Sequence, residues 1–245
     1  MKKTSPTPPL KTSNKGEIKK LGTLIALDGL DGSGKSTQTN LLVDRLKIDG
    51  YAVRTISFPM YDSESSGPVR MYLDGKLGSR PSDTNAYAAS AFFAVDRYAS
   101  FKADWKKDYD KLGKVVIANR YSSANAVHQL SKLPRDQWDA FIDWLWDFEF
   151  MKLGIPAPDL VLYLELPPEM SLELVRRRSE ETGQARDIHE KDAEYMRRCY
   201  DAALYASDKL GWERIRCYDE NGIRTREAIF HDIAEVVSSR TELVL

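Results

Sequence analysis

A glycine-rich run near the start of the chain has the composition and spacing of a loop that holds phosphate groups. Residues 29–36 read Gly-Leu-Asp-Gly-Ser-Gly-Lys-Ser and fit the pattern G-x-x-x-x-G-K-[S/T]. Glycines let successive backbone N–H groups point at phosphate oxygens. Lys35 can neutralise the β- and γ-phosphates, and the Ser36 hydroxyl can ligate Mg²⁺. The run predicts a nucleoside-triphosphate site made by Gly29, Asp31, Gly32, Ser33, Gly34, Lys35, Ser36 and Thr37.

The rest of the chain lacks the marks of two large classes that share such a loop. A GTPase carries an Asn-Lys-x-Asp guanine motif downstream, whereas the Asn-Lys pair of this chain, Asn14-Lys15, lies upstream. A motor ATPase usually ends a later strand in an acid, whereas the third predicted strand ends in Asn119-Arg120-Tyr121. A small-molecule kinase is consistent with both observations, although the loop and the fold alone do not name a reaction.

A second set of candidate residues lies on a helix predicted at about 83–110. Phe93 and Arg97 are four residues apart and therefore share a face. That face is otherwise small and open, so a pyrimidine could stack on Phe93 while Arg97 reaches its O4 or a phosphate. The alternative is a second packing face with a surface ion pair. The core-facing stripe is predicted to be Ala88, Ala91, Phe92, Val95 and Ala99.

The elements that must hold these residues alternate between short apolar runs and longer helical patterns. Strands separated by helices indicate crossover connections and a mainly parallel sheet covered on both faces. We predict an α/β fold of three layers around a five-stranded sheet. The strands are predicted at 24–27, 52–58, 114–118, 160–164 and near 213–218. Helices are predicted at 36–48 and about 83–110, over a stretch that contains Trp138, Trp144 and Trp146 and ends at about 154, on both sides of 180–190, and at the C-terminal end.

Arg120 follows the third predicted strand, and the end of a strand is the usual place for ligands in open α/β sheets. The planar fork of a guanidinium suits a phosphate group better than an ammonium does. The alternative is a structural ion pair at the strand end.

Composition excludes several classes of protein. Of the 245 residues, 42% are hydrophobic, 30% charged and 10% aromatic, with a net charge of −1. Such a chain is too apolar to be wholly disordered, and too neutral for a strongly basic nucleic-acid binder. No apolar run approaches the roughly 18 residues of a membrane span. The two cysteines, Cys199 and Cys217, form no disulfide framework or metal motif, which favours a reducing, cytoplasmic compartment.

The first twenty residues differ from the rest of the chain. They hold six lysines against one acidic residue, together with three prolines, and show no apolar periodicity. The absence of an apolar core segment argues against a secretory signal. We predict a disordered basic tail over 1–20 and a single domain over 21–245.

Taken together and in order, the motifs resemble those of the thymidylate kinases over residues 21–241. The resemblance rests on six elements that follow one another in the family's order. They are the phosphate loop 29–38, Phe58-Pro59-Met60-Tyr61, Phe93-Ala94-Val95-Asp96-Arg97, Asn119-Arg120-Tyr121 with Asn125 and His128-Gln129, the run 158–164, and Pro167-Pro168-Glu169. Six elements in the right order are far more specific than any single one.

The resemblance implies a P-loop kinase fold, transfer of the γ-phosphoryl group of ATP to dTMP with Mg²⁺, and a homodimer packed through long helices. It implies that Arg120 holds the acceptor phosphate and that a LID segment, about 178–190, closes over the triphosphate with Arg178 or Arg186 near the phosphates. The implied catalytic residues are Lys35, Arg120, Asp31 and Arg186; the acceptor-binding residues are Asp31, Phe58, Tyr61, Phe93, Arg97, Arg120, Asn125 and His128; the metal-binding residues are Ser36 and Glu190.

Two residues depart from the family pattern. Asn119 stands where an aspartate is usual, which leaves Asp31 and Glu190 as possible substitutes, and Met60 stands where many members have an arginine. Three alternatives stay open: a kinase for another nucleoside monophosphate, a deoxynucleoside kinase, and a nucleotide-binding protein with a degenerate site. The deoxynucleoside kinase is disfavoured, because its acceptor hydroxyl needs a base after the second strand, where this chain has Phe58-Pro59.

Overall fold

The computed structural model describes residues 21–183, 188–190 and 192–245. The strands are β1 (Thr23–Gly29), β2 (Ala52–Ser57), β3 (Lys114–Asn119), β4 (Leu160–Glu165), β5 (Glu213–Arg216), β6 (Tyr218–Asp219) and β7 (Gly222–Ile223). The helices are α1 (Lys35–Ile48), α2 (Gly67–Leu73), α3 (Ala86–Ser100), α4 (Lys106–Tyr109), α5 (Ser123–His128), α6 (Trp138–Trp146), α7 (Pro168–Thr182), α8 (Ala193–Leu210) and α9 (Arg226–Arg240).

Five strands form one parallel sheet in the order β2-β3-β1-β4-β5, and β6 and β7 form a separate antiparallel pair. The α/β fold with a five-stranded sheet is therefore confirmed. β1 lies in the centre between β3 and β4, with Leu27 opposite Asn119 on one side and Leu162 on the other. The carboxyl ends of β1 and β3 meet at one edge of the sheet, which is where open α/β sheets bind ligands.

The strands read as continuous apolar runs because both faces of the sheet are covered. Residues alternate between the faces with a period of two. Ile25 and Leu27 of β1 pack in the cluster that includes α1 and α9, whereas Leu24 and Ala26 pack in the cluster around Trp105. Both clusters are buried, so the central strands are held rigidly from two sides. No helix among the residues described here is both long enough and apolar enough to cross a membrane.

The helix predicted at about 83–110 is present with two modifications. It begins at Ala86, where the side-chain Oδ1 of Asn85 accepts a hydrogen bond from the N–H of Ala88 at 2.8 Å, which is the usual N-terminal cap. After Ser100 the helix continues through a π-helical segment, Phe101–Trp105, into α4. The fully buried Trp105 of this segment packs beneath the sheet.

The face of α3 that packs inward differs from the prediction. Val95, a member of the predicted core stripe, is 51% exposed, whereas Ala89, Ala94 and Arg97 are buried. The prediction was wrong because it assumed that the core takes the most apolar face of the helix. The inward face of α3 lines a pocket, and a pocket needs small and polar residues. Val95 is consequently left on the outside, and the other members of the predicted stripe are only partly buried.

Candidate active site

The phosphate loop connects β1 to α1 and has the backbone form that its glycines allow. Gly34, at the N-terminal end of α1, has φ +88°, and Gly32 has φ +84°, both in the region that favours glycine. A Cβ on Gly32 would also lie 2.8 Å from the carbonyl oxygen of Ser171. The Ser171 hydroxyl, near the start of α7, donates a hydrogen bond to the carbonyl oxygen of Asp31. The loop is thus held in shape from α7 as well as from the sheet.

Lys35 lies across this loop. Its Nζ donates hydrogen bonds to the carbonyl oxygens of Gly29 at 3.0 Å and Leu30 at 2.7 Å, and lies 3.9 Å from a carboxylate oxygen of Asp31. Burial, and then the nearby positive charge of Arg120, lower the pKa of Lys35 to about 7. The charged form of Lys35 is therefore poorly stabilised by its surroundings, and a bound phosphate would stabilise it.

Arg120 follows β3 with φ +65°, a left-handed conformation that is uncommon for a residue other than glycine. Such conformations concentrate at functional sites. Its guanidinium contacts Asp31 and lies 3.6 Å from Asp28 and 3.3 Å from Nε2 of His128. Burial would raise the pKa of Asp31, but the charges of Arg120 and Lys35 outweigh it and hold that pKa well below its usual range. Asp31 therefore joins the phosphate loop to Arg120.

The oxygen atoms beside Ser36 suit a hard cation. Nδ2 of Asn119 donates to Oγ of Ser36 at 3.3 Å, and Oδ1 of Asn119 is buried with no partner among the described residues. A hydroxyl and an amide oxygen are ligand types that Mg²⁺ accepts, directly or through water. The two possible substitutes for the missing aspartate carry other contacts: Asp31 is paired with Arg120, and Glu190 is paired with Arg178 at 2.5 Å.

A pocket opens beside Arg120. The eight residues predicted to bind the acceptor all line it: Asp31, Phe58, Tyr61, Phe93, Arg97, Arg120, Asn125 and His128. Six further residues line the pocket to which the sequence assigned no binding role: Pro59, Leu73, Tyr121, Ala124, Gln129 and His189. The motifs that are spread over a hundred residues of sequence therefore converge on one cavity that adjoins the phosphate loop.

Arg97 enters this pocket as a buried and paired side chain. Its Nε and Nη2 donate to the two carboxylate oxygens of Glu149 at 2.7 and 2.6 Å, and its Nη1 lies 3.4 Å from the carbonyl oxygen of Tyr121. Arg97 and Glu149 are both nearly inaccessible to solvent. The alternative of a surface ion pair is thus wrong, because the pair lies in the interior with one edge of the guanidinium on the pocket wall.

Gln129 is the clearest of the lining residues that the sequence did not single out as a site. It is fully buried, and neither its amide oxygen nor its amide nitrogen has a hydrogen-bond partner among the described residues. Unpaired buried amides are costly and uncommon. In this pocket, the amide of Gln129 is available to a polar ligand. Its place in the His128-Gln129 pair of the family motif is the signal in the sequence that could have indicated it.

Two buried histidines stack at the wall of the pocket. The rings of His128 and His189 lie 5.0 Å apart and 11° from parallel, and the Tyr72 hydroxyl lies 2.8 Å from Nε2 of His189. Burial lowers the pKa of His189 to about 3 and that of His128 well below its usual value, so both rings are neutral near pH 7. Lys132 in turn donates to the Tyr72 hydroxyl at 2.9 Å. His189 thereby ties residues 188–190 to the pocket.

The other predicted LID residues are only partly located. Arg178 lies near the end of α7, and its side chain is 46% exposed where it pairs with Glu190. Arg186, the predicted catalytic arginine, and the predicted tail over 1–20 lie outside the described residues. Thr37, in the first turn of α1, is exposed.

The family model for thymidylate kinase matches residues 27–215 of this chain, which is more than three quarters of its length. The chain belongs to the thymidylate kinase family. The thymidylate kinase of Mycobacterium tuberculosis H37Rv is 33% identical over 194 residues, which cover 77% of this chain and 87% of that protein. The probable thymidylate kinase of Thermococcus onnurineus is 29% identical over 215 residues, which cover 87% of this chain and 96% of its own length.

The fold is also similar to a solved structure. A thymidylate kinase from Candida albicans matches with a TM-score of 0.65 at 22% sequence identity, over 89% of this chain and 92% of the other. The likeness supports the P-loop kinase fold, with the phosphate loop between β1 and α1. The family resemblance inferred from six sequence motifs is therefore confirmed.

Proposed function

We propose that this chain transfers the γ-phosphoryl group of ATP to dTMP and releases ADP and dTDP. The observation that carries the proposal is the contact between Asp31 of the phosphate loop and Arg120, a wall of the acceptor pocket. This contact brings a site for the donor triphosphate next to a cavity for an acceptor. Family membership supplies the nucleotides that would occupy the two sites.

The acceptor is already a phosphate anion, so the reaction needs no general base. Catalysis then consists of positioning and of neutralising charge on the transferring group. Lys35 reaches the β- and γ-phosphates from the donor side, and Arg120 holds the acceptor phosphate, with Asp31 orienting its guanidinium. Ser36 and Asn119 would hold Mg²⁺. When bound, this ion supplies further charge neutralisation at the β- and γ-phosphates.

The remaining lining residues would hold the nucleoside. The half-buried ring of Phe93 offers a stacking surface for the base, with Arg97 and Asn125 behind it. Phe58, Tyr61 and His128 would flank the base and the sugar. Residues 178–190 would form the LID, in which Arg178 or Arg186 neutralises the transferring phosphoryl group and Glu190 assists at the metal. A closed LID excludes water and so prevents hydrolysis of ATP.

We further propose that the protein works as a homodimer in the cytoplasm. The outward side of α3 supports the dimer, because the apolar side chain of Val95 is 51% exposed there and the ring of Tyr98, one turn away, is 38% exposed. A contiguous apolar face usually marks an interaction surface. The free, buried thiols of Cys199 and Cys217 agree with a reducing compartment. Neither nucleic acid nor membrane is a proposed partner.

An assay of ADP release over a panel of nucleosides and nucleoside monophosphates tests the function. We expect the highest kcat/KM with dTMP, and about 10- to 200-fold less with dUMP, since one methyl group supplies about 1–3 kcal/mol. Lys35→Ala is expected to lower kcat by about 10²- to 10³-fold with an unchanged melting temperature. Lys47→Ala, an exposed lysine on the same helix, is the matched control.

Two results would overturn the proposal. A higher specificity constant for another monophosphate would identify a kinase of different acceptor preference. ATP binding without phosphoryl transfer to any member of the panel would identify a nucleotide-binding protein with a degenerate site.

A further inference from the structure

An acidic residue from outside the recognised motifs lies against the base-binding end of the pocket. Glu149 belongs to a π-helical segment, Asp147–Lys152, that continues α6, and it is the buried residue of that segment. Its carboxylate is fully inaccessible to solvent. In the sequence, it follows Leu145 by four residues, so it takes a place on the inward face of α6 that Phe141 and Leu145 otherwise fill. Single π-helical turns are frequent at functional sites.

Glu149 engages two residues of the pocket wall at once. Its Oε1 accepts hydrogen bonds from Nη2 of Arg97 at 2.6 Å and from Nδ2 of Asn125 at 3.0 Å, and its Oε2 accepts from Nε of Arg97 at 2.7 Å. The second Nδ2 hydrogen of Asn125 is directed to the carbonyl oxygen of Ser90 at 3.3 Å. Arg97 and Asn125, which come from α3 and α5, are thus fixed relative to each other by a residue from a third element.

These contacts also decide which atoms face a ligand. A carboxylate paired with a guanidinium only accepts hydrogen bonds, so Asn125 must turn its NH₂ group toward Glu149. Its Oδ1 is then left as an acceptor without a partner among the described residues. Glu149 occupies Nε and one hydrogen of Nη2 of Arg97, so the donors left to a ligand are the second Nη2 hydrogen and those of Nη1, which has one long contact of 3.4 Å to Tyr121.

We propose that Glu149 is a positioning residue that sets the donor–acceptor order of the base-reading edge. An Nη donor of Arg97 beside the Oδ1 acceptor of Asn125 matches a pyrimidine that carries an N3–H next to a C4 carbonyl, as thymine does. Cytosine presents an N3 acceptor next to a C4 amine, so each of its groups would meet a group of the same kind. This inference rests on the proposed function and names the residue that makes the site selective for the 4-oxo pyrimidine.

A purely structural role for Glu149 makes a different prediction. Buried ion pairs contribute little net stability, because desolvation offsets their attraction, so the pair between Arg97 and Glu149 is weak evidence of a stabilising device. If it only stabilised the fold, its loss would lower the melting temperature and the amount of active protein. It would leave the ratio of specificity constants between two pyrimidine nucleotides unchanged.

The test compares wild type with Glu149→Gln, which keeps the size of the side chain but adds a donor and removes the charge. Asp147→Asn is the matched control, since it removes one charge from the same segment at a side chain that is 51% exposed. Steady-state kinetics with dTMP and dCMP, and calorimetric binding of dTMP without ATP, are measured for each protein. For Glu149→Gln we expect KM and Kd for dTMP to rise about 10- to 100-fold, with kcat and KM for ATP within a few-fold.

We also expect the dTMP-to-dCMP ratio of kcat/KM to fall at least about tenfold in Glu149→Gln and to stay at the wild-type value in Asp147→Asn. A Glu149→Gln protein with the wild-type ratio and wild-type KM would overturn the role of Glu149. A wild-type protein with no activity on dTMP would instead overturn the proposed function. If Glu149→Gln does not fold, Glu149→Asp keeps the charge while withdrawing both oxygens by one methylene, and the same loss of selectivity is expected; a retained ratio overturns the proposal.

Discussion

Lys35 is unusual because no carboxylate among the described residues of its buried surroundings makes a close ion pair with its ammonium group. The nearest carboxylate, on Asp31, is 3.9 Å away and is itself engaged by Arg120. Arg120 also lies 3.6 Å from the buried Asp28, and burial together with the charge of Arg120 still brings the pKa of Lys35 to about 7. The site has room for negative charge, and a triphosphate would provide it. Binding of ATP should accordingly be coupled to uptake of a proton by Lys35.

The sign of this coupling gives a prediction at the residue scale. Because a bound phosphate raises the pKa of Lys35, ATP binds with uptake of up to one proton above pH 7, and its affinity should fall by about tenfold per pH unit between pH 7.5 and 9. Calorimetry in buffers of different ionisation enthalpy measures the proton uptake. In Lys35→Arg the guanidinium stays charged, so the pH dependence should disappear. An equal slope in both proteins would assign the coupling to another group.

Residues 188–190, which belong to the proposed LID, pack against the wall of the pocket. Ile188 packs in a cluster with Tyr72 and Leu73 of α2, and His189 stacks on His128 of α5. The segment is therefore docked through one apolar contact and one pair of neutral rings. Besides burial, nearby cations oppose protonation of the rings: Arg120 and Lys35 at His128, and Lys132 and Arg120 at His189. Docking of the segment thus depends on both rings being uncharged.

Acidification should release this element before the fold is lost. The docked His189 has a pKa of about 3, against an ordinary value of 6.5 when the segment is free. Docking is therefore fully favourable above pH 6.5 and weakens as the pH falls toward 3. Between pH 7 and pH 5 the free energy of docking weakens by about 2 kcal/mol, which lowers the docking equilibrium constant about 30-fold.

Hydrogen exchange of the backbone amides of 188–190, corrected for intrinsic rates, measures this change. His189→Phe keeps an aromatic ring that does not titrate. In this variant, the protection of the amides of 188–190 should therefore fall less between pH 7 and pH 5 than in the wild type. Equal losses of protection in the two proteins would show that His189 does not control docking.

At the scale of the whole molecule, α3 contributes residues both to the pocket and to the outer surface of the protein. Its inward face carries Arg97 into the acceptor pocket, and its outward face carries the exposed side chains of Val95 and Tyr98. A change in the position of α3 would therefore alter both the pocket and the outer surface. If this outward face forms the dimer interface, then assembly braces the wall of the active site.

Val95→Asp tests the interface. A charge at this position would be buried without a partner in the dimer, so we expect the wild-type protein to be dimeric and Val95→Asp to be monomeric at micromolar concentration by light scattering. Val244→Asp places the same change on an exposed valine in the C-terminal segment and should leave the dimer intact. A wild-type monomer would overturn the proposed dimer, whereas a dimer that survives Val95→Asp would show that the interface does not lie on α3.

Much of the site could be predicted from the sequence because its motifs are local. The spacing from Gly29 to Ser36 specifies a loop whose geometry depends on a few neighbouring residues, and the apolar runs specify a parallel sheet because strands buried on both faces have no polar side. The convergence of the acceptor residues on one pocket followed from the family resemblance. The roles of these residues stay predictions.

The phosphate loop, the order of strands and helices, and the family are properties that the sequence by itself determined, since each depends on contacts between near neighbours or on motifs in a set order. The tertiary structure alone decided which face of α3 is buried, that Glu149 pairs with Arg97, and that His189 stacks on His128. The physical reason is that periodicity records how apolar a face is, whereas the partner of a buried charge or ring is set by elements that meet only in the folded chain. Arg97 and Glu149 are 52 residues apart in the sequence, but Nη2 of Arg97 lies 2.6 Å from Oε1 of Glu149 in the structure.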